Sequence, residues 1–428
     1  MAPIDPQGQA GKRPPRHLPV GLIAGVAACS LVALGALAAV AARGAVPAGI
    51  GLTLALLPIP ALLAGILALD RLEPEPPGNL VFVFGWGAGV AALIGLAGTL
   101  SGHQLLTTPA LRSGGFAAPS AAAAIGVAAL EETLTGIVLV GLLLRRPQEI
   151  DGLTDGVVYG SMVGLGFALI ENIYYYAEAS RFGFTGVATT FLLRGMVSPV
   201  CQALFASLIG AAVAYAAATG RRRGLWAVGA GWIVAVALHA LWNASLALSA
   251  SRLAVTYAVL AGIVVILLGA MIWDRRRIIG LIARYLPGYV PTGVVAEPDV
   301  AMLGSLPDRR QARQWARLHG GLGGLRDMAE YQLAATELGL LHRRSDRGLV
   351  DLASFTQRRD GLLGGMRSAT SAFLNRLNDP PRPPWAPHGP SCFRPARLRP
   401  APQAARADPA ASRPDGPAAE PRTGRTDG

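Results

Sequence analysis

The chain has 428 residues, of which 52% are hydrophobic and only 15% charged, with a mean hydropathy of +0.42. A soluble domain carries about 25% charged residues, so the composition argues against a wholly soluble fold. The net charge of +12 gives no reason to expect a nucleic-acid partner, because basic flanks are usual in polytopic membrane proteins.

The charge deficit is local. Residues 18 to about 273 are almost free of charge, and the remainder is rich in Arg. A membrane span needs about 20 mostly apolar residues. Eight stretches qualify, at 18–42, 47–69, 79–101, 117–144, 153–177, 187–219, 225–250 and 253–273. The first follows a basic segment, residues 1–17, but is longer than the apolar region of a signal peptide. The sixth is too long for one straight helix and contains Arg194 and Pro199, so a kink or an interfacial turn is expected there. The fold class expected is therefore all-α, a polytopic transmembrane bundle of about eight spans over residues 18–273.

Beyond residue 273 the pattern changes. Residues 274–378 show helical patterns with many charges, for example from Leu325 to Arg344, and read as a small cytosolic helical region. Residues 379–428 are dominated by Pro, Ala, Arg and Gly, cannot bury a core, and are expected to be disordered. Cys29, Cys201 and Cys392 fit neither a zinc pattern nor a disulfide framework. Lys12 is the only lysine. With the Ala, Gly and Pro bias, this points to a bacterium with GC-rich DNA, and hence to a bacterial cytoplasmic membrane.

The ionisable residues inside the spans carry the functional signal. A carboxylate at bilayer depth costs roughly 2.5–3.5 kcal/mol on insertion scales, so such residues normally face a polar cavity. Glu131 and Glu132 lie midway along the fourth stretch. As neighbours on a helix they stand about 100° apart. One can face a cavity as a general base while the other orients it or holds a neighbouring helix. Phe167 and Glu171 are four apart and share a face. Asn172 beside them can hold the Glu171 carboxylate or serve the cavity itself. Gly156, Gly160 and Gly164 form a small-residue stripe suited to close helix approach. His239 and Asn243 are also four apart. The imidazole can ligate a metal or relay a proton, and the amide can donate to a developing oxyanion. Arg194 either pairs with a buried glutamate or reaches to the interface. Zinc sites commonly use three protein ligands and an open position. Glu171, His239 and one of Glu131 or Glu132 would supply them, although no HExxH spacing is present.

These motifs together resemble the PrsW intramembrane protease family. They are Glu131-Glu132 in an Ala-rich span, Asp155 through Asn172, Arg194 through Pro199, and His239 through Asn243, with Asp70 through Pro76 also similar. The resemblance covers roughly residues 50 to 250, and the family is related to the CAAX prenyl protease and bacteriocin-processing membrane proteases. It implies a multi-pass metallopeptidase, with zinc or another divalent metal, that cleaves a membrane-spanning protein such as an anti-sigma factor within the lipid bilayer. Carried over by position, the catalytic set is Glu131, Glu132, Glu171, His239 and Asn243, supported by Asn172, Arg194 and Gln202. Two departures stand out: Thr135 occupies the place of the family's lysine, and Gln202 the place of its histidine, with Ala206 in place of a hydroxyl residue. They favour an alternative, a weak or inactive member acting as a membrane scaffold. A proton-coupled transporter is the third reading, but the span pattern shows no convincing inverted repeat.

Arginine bias sets the orientation. Lys12, Arg13 and Arg16 precede the first span, and Arg145–Arg146, Arg221–Arg223 and Arg275–Arg277 follow the fourth, sixth and eighth. The alternate connections carry only Arg43, Arg112, Arg181 and Arg252, which places both termini in the cytosol. A cysteine engineered near Gly183 should therefore label from the side opposite the cytosol. Labelling of that site only from the cytosol would overturn the eight-span arrangement.

Overall fold

The computed structural model describes residues 20–42, 44–69, 75–98, 121–146, 149–150, 152–219, 221–245 and 250–378. Helices are the only extended elements among them. Several expectations lie outside the described residues: the segments 1–17 and 379–428, Arg43, Arg112, most of the Asp70–Pro76 motif, and the side chains of Arg221 to Arg223.

Helix α1 is Val20–Ala41. Helices α2 (Ala45–Leu56) and α3 (Ile59–Leu69) form one apolar stretch, interrupted at Leu57 and Pro58. Proline has no N–H for the helical ladder, which accounts for the break. Helix α4 (Pro77–Gly98) opens with a proline in its first turn, where no donor is needed. It carries a π-turn at Gly87–Ala91. Helices α5 (Ala121–Arg145), α6 (Leu153–Ala179), α7 (Gly183–Arg194), α8 (Val197–Thr219), α9 (Arg221–Ser245) and α10 (Ala250–Tyr285) follow.

Seven stretches of the described residues are long and apolar enough to cross a membrane. The fifth, Leu153–Thr219, has 67 residues, about 100 Å if it were one straight helix. It turns back on itself instead. Gly156 of α6 approaches Gly210 of α8, Gly160 approaches Ala206, and Gly164 approaches Gln202, so α6 and α8 run antiparallel in direct backbone contact. Counting α6 and α8 separately gives the eight passes read from the sequence. The expected sixth span, 187–219, breaks where a kink or turn was expected, into two helices, α7 and α8, separated by a turn at Gly195 and Met196; only its start needs correction, because α7 already begins at Gly183. The last span has no break at residue 273. Helix α10 runs 36 residues to Tyr285, about 54 Å, well beyond a hydrocarbon core of about 30 Å.

Burial identifies the centre of the bundle. In the most apolar window of Leu153–Thr219, 61% of residues are buried, against 17% for α1 and for the window in Ser251–Thr292. The peripheral helices show Leu31, Val265 and Ile266 outward, as a lipid-facing surface requires. Around α6 and α8 the core contains Tyr159, Val163, Leu165, Phe205, Ile209 and Trp242. The N-terminus of α6 accepts negative charge: Asp155 takes the Gly152 N–H at 2.7 Å, and Asp274 of α10 takes the Leu153 N–H at 3.1 Å. These carboxylates satisfy donors that the helix leaves open and tie α10 to α6.

Past α10, a turn at Leu286–Thr292 leads to α11 (Glu297–Leu303), α12 (Leu306–Asp346) and α13 (Leu352–Asn378). Gly321, at φ +63°, bends α12 in a conformation that a side chain would oppose. These helices share their own core of Ile282, Leu286, Leu303, Tyr331, Leu338 and Met366. The predicted helical region after residue 273 is thus a packed unit, with the end of α10 as one wall.

The α6–α8 contact generates a prediction. A Cβ on Gly210 would lie 1.9 Å from the Gly156 carbonyl oxygen, whereas Gly262 on α10 has open space. Gly210→Ala should destabilise the bundle by about 1–3 kcal/mol through overpacking, and Gly262→Ala should be near neutral. Thermal unfolding in detergent reads both, and equal effects would contradict the close approach.

Candidate active site

The ionisable residues of the spans converge. Glu131 and Glu132 come from the middle of α5, Glu171 from α6, Arg194 from the last turn of α7, Gln202 from the second turn of α8 and His239 from α9. Glu131, Glu132, Glu171 and His239 are each 5% exposed or less. None of the three glutamates could remain there without partners, because a buried charge is tolerated only when it is paired and hydrogen-bonded.

His239 is the hub. Its Nδ1 lies 2.8 Å from Glu132 Oε1, and its Nε2 lies 3.3 Å from Glu131 Oε2. The adjacent glutamates therefore reach opposite edges of one imidazole, which their 100° separation on α5 permits. Thr135 Oγ1 sits one turn along, 3.2 Å from the Glu132 carbonyl and 3.3 Å from Glu132 Oε2, and donates to this pair of oxygens. The ring of Phe205 stacks on His239 with centroids 4.9 Å apart. The imidazole is thus fixed in both plane and rotation.

Glu171 forms the second half of the cluster. Arg194 Nη2 lies 2.8 Å from its Oε1, and Gln202 Nε2 donates to its Oε2 at 3.2 Å. The guanidinium of Arg194 also lies over the Tyr175 ring, 4.0 Å from the centroid. Of the two roles open to Arg194, pairing with a buried glutamate is the one observed. Gln202 Nε2 is in addition 3.4 Å from His239 Nε2. One amide therefore joins the Glu171–Arg194 pair to the Glu131–His239–Glu132 set.

Two predicted residues stand apart. Asn243 is half-buried, one turn beyond His239, and forms no hydrogen bond with the cluster. Asn172 is fully buried, and neither atom of its amide has a partner. Arg194 and Gln202 hold Glu171 in its place. Sequence reasoning passed over three residues that shape the site. Phe205 lies three positions after Gln202, Tyr175 four after Glu171, and both spacings put them on the same helix face. The third is Gly95 of α4. A Cβ there would come within 3.1 Å of both Glu131 Cγ and Phe167 Cε2, so a side chain at this position would crowd the Glu131 carboxylate.

A second buried polar group lies elsewhere on α6. Tyr159 donates to Glu75 at 2.6 Å, and Asn79 links Tyr159 to Arg146 at 3.4 and 3.2 Å. It joins α4, α6 and the residue after α5, and shares no residue with the His239 cluster.

The donor set for a metal is interrupted. Among the described residues, no group of three or more His, Cys, Asp and Glu side chains is placed to hold a metal ion. The predicted ligands Glu171 and His239 have the Gln202 amide nitrogen between them. As arranged, the residues present do not fit a three-ligand zinc centre.

Residues 75–270 match the model of a family described as PrsW family intramembrane metalloprotease. The match includes every member of the cluster and bears out the resemblance carried by the motifs. No curated protein and no solved structure matches the chain.

The Arg194–Glu171 pair predicts an asymmetric mutational response. Arg194→Leu leaves a buried carboxylate without its cation and should cost about 3–5 kcal/mol of stability. Removing both charges in Arg194→Leu/Glu171→Leu should recover much of that loss. Equal destabilisation by the single and double variants in a detergent unfolding assay would show that the charges are not paired.

Proposed function

We propose that residues 75–270, a domain of the PrsW family, hydrolyse peptide bonds of a membrane-spanning protein with a glutamate–histidine centre. The observation that carries this reading is that each ring nitrogen of His239 faces a carboxylate from α5. The arrangement separates the roles of the adjacent glutamates. Glu132, bonded to Nδ1 and supported by Thr135, orients the ring. Glu131, on the Nε2 side, is the general base. It takes a proton from a water as the water oxygen attacks the substrate carbonyl, and the proton then passes to the leaving nitrogen. His239 Nε2 stands beside Glu131 to carry positive charge or relay that proton. Asn243, one turn away on α9, is the proposed donor to the oxyanion. Glu171 is held by Arg194 and Gln202 and so fixes the position of the Gln202 amide. The metal that the family description implies has no fitting donor set here, so no step is assigned to it.

A groove beside this centre is the proposed approach for a substrate. It lies between the end of α6 and α7 and is lined by Tyr175, Phe182, Thr189, Thr190, Leu193 and Arg194. Arg194 lines this groove and is also the partner of Glu171. A substrate segment entering along α7 would meet Arg194 before the acids, and threonine hydroxyls could bond its exposed backbone. The family resemblance supports an anti-sigma factor as the substrate. The arginine bias supports a multi-pass protein of the bacterial cytoplasmic membrane with both termini and the region 274–378 in the cytosol.

The scaffold reading keeps support from Thr135 and Gln202, which replace chemically active residues of the family. Cleavage of single-span proteins encoded nearby, co-expressed with the protein, separates the two. Glu131→Gln should lower cleavage by about 10²–10⁴ while the protein still inserts, and His239→Ala should do comparable damage. Cleavage persisting in Glu131→Gln rules out this mechanism. Failure of the wild type on every single-span candidate favours the scaffold.

A further inference from the structure

The conflict between a metalloprotease family and an interrupted donor set has a local cause. We infer that Gln202 closes this centre to a divalent cation, and that the centre works as a hydrogen-bonded network instead. Gln202 Nε2 lies 3.2 Å from Glu171 Oε2 and 3.4 Å from His239 Nε2, so the amide nitrogen occupies the space between two groups that a cation would have to share. An amide N–H₂ has two protons to donate and no lone pair to offer a metal. One proton meets the Glu171 carboxylate. The other points to His239 Nε2, whose lone pair is available when the ring proton sits on Nδ1 against Glu132. Both would-be ligands are thereby used as acceptors. Turning the amide over would place its carbonyl oxygen against the Glu171 oxygen, so the hydrogen bonds favour the orientation that blocks a metal.

Three features make the block specific to residue 202. Gln202 is buried, on a helix held against α6 by direct backbone contact at Gly164, so its side chain has little room to withdraw. Glu171 keeps a cation of its own, Arg194 at 2.8 Å. Glu131 Oε2 and His239 Nε2 are 3.3 Å apart, close to the edge of a tetrahedron of donors about 2.0–2.1 Å from a zinc ion. Two donors are therefore in place. A metal-binding side chain at residue 202 would supply the next one.

This inference takes the cluster to be a functional centre but does not depend on cleavage, so its failure can be told apart from failure of the peptidase reading. The test is equilibrium dialysis of the purified full chain, stripped with chelator and offered Co²⁺. Binding is scored as the difference between each protein and the same protein carrying His239→Ala. The wild type should show no difference. Gln202→His should bind about one Co²⁺ per chain, with the visible absorption of a tetrahedral site. Gln202→Glu, an anionic donor of similar length, should also gain binding and decides the matter if the histidine variant does not fold. Stoichiometric, His239-dependent Co²⁺ in the wild type would overturn the inference. So would monodisperse, cooperatively unfolding Gln202→His and Gln202→Glu proteins that take up none.

Discussion

Carboxylates in a low-dielectric interior must be paired, and the core of this protein is organised around that requirement. Glu131, Glu132 and Glu171 are all but inaccessible. Glu132 is bonded to His239 Nδ1 at 2.8 Å, Glu131 lies 3.3 Å from Nε2 of the same ring, and Arg194 pairs with Glu171 at 2.8 Å. Each contact joins different helices, so the pairing also ties the bundle together. Glu132–His239 and Glu131–His239 link α5 to α9, Arg194–Glu171 links α7 to α6, and Gln202 links α8 to both groups. A packed membrane core has little hydrophobic drive between helices, which makes these polar links and the glycine contacts of α6 with α8 the specific elements.

The close approach of α6 and α8 is the mechanical counterpart. Gly156, Gly160 and Gly164 admit the backbone of α8, and this places Gln202 against Glu171. The stripe sits about two to four turns before Glu171 on the same helix. Packing and chemistry are therefore consecutive parts of α6. The helices around this pair expose apolar surface outward, and the polar groups stay on the inner faces.

Much of this was legible in the sequence because a charge in an apolar stretch is conspicuous. The spans followed from hydropathy, a close helix approach along α6 from glycine spacing though not its partner α8, and Glu131, Glu132, Glu171 and His239 from their improbable solvent. What was not legible depended on tertiary placement. Gly95 and Phe205 look like ordinary packing residues in apolar helices, and only the fold sets them against Glu131 and His239. Asn172 was expected beside Glu171, but neighbours on a helix diverge by about 100°, and Arg194 and Gln202 fill that role. Asn243 shares a face with His239 but lies a turn away, outside the network. The break between α7 and α8 was legible from the length of its run and from Arg194 and Pro199, but its position at Gly195 and Met196 and the start of α7 at Gly183 were not. Zinc ligation by Glu171 and His239 was a reading of residue types. It did not allow for an amide lodged between them.

The central claim is that His239 is bound by the α5 glutamates inside the membrane domain. The most direct test is a double-mutant cycle on unfolding free energy, with Glu132→Gln, His239→Ala and the pair together, in the same detergent. Residues in direct contact within one hydrogen-bonded network couple by about 0.5–3 kcal/mol, whereas distant sites add to within roughly 0.3–0.5 kcal/mol. The 2.8 Å contact of Glu132 with His239 Nδ1 predicts clear non-additivity. Strict additivity would contradict it, and with it the account of the site.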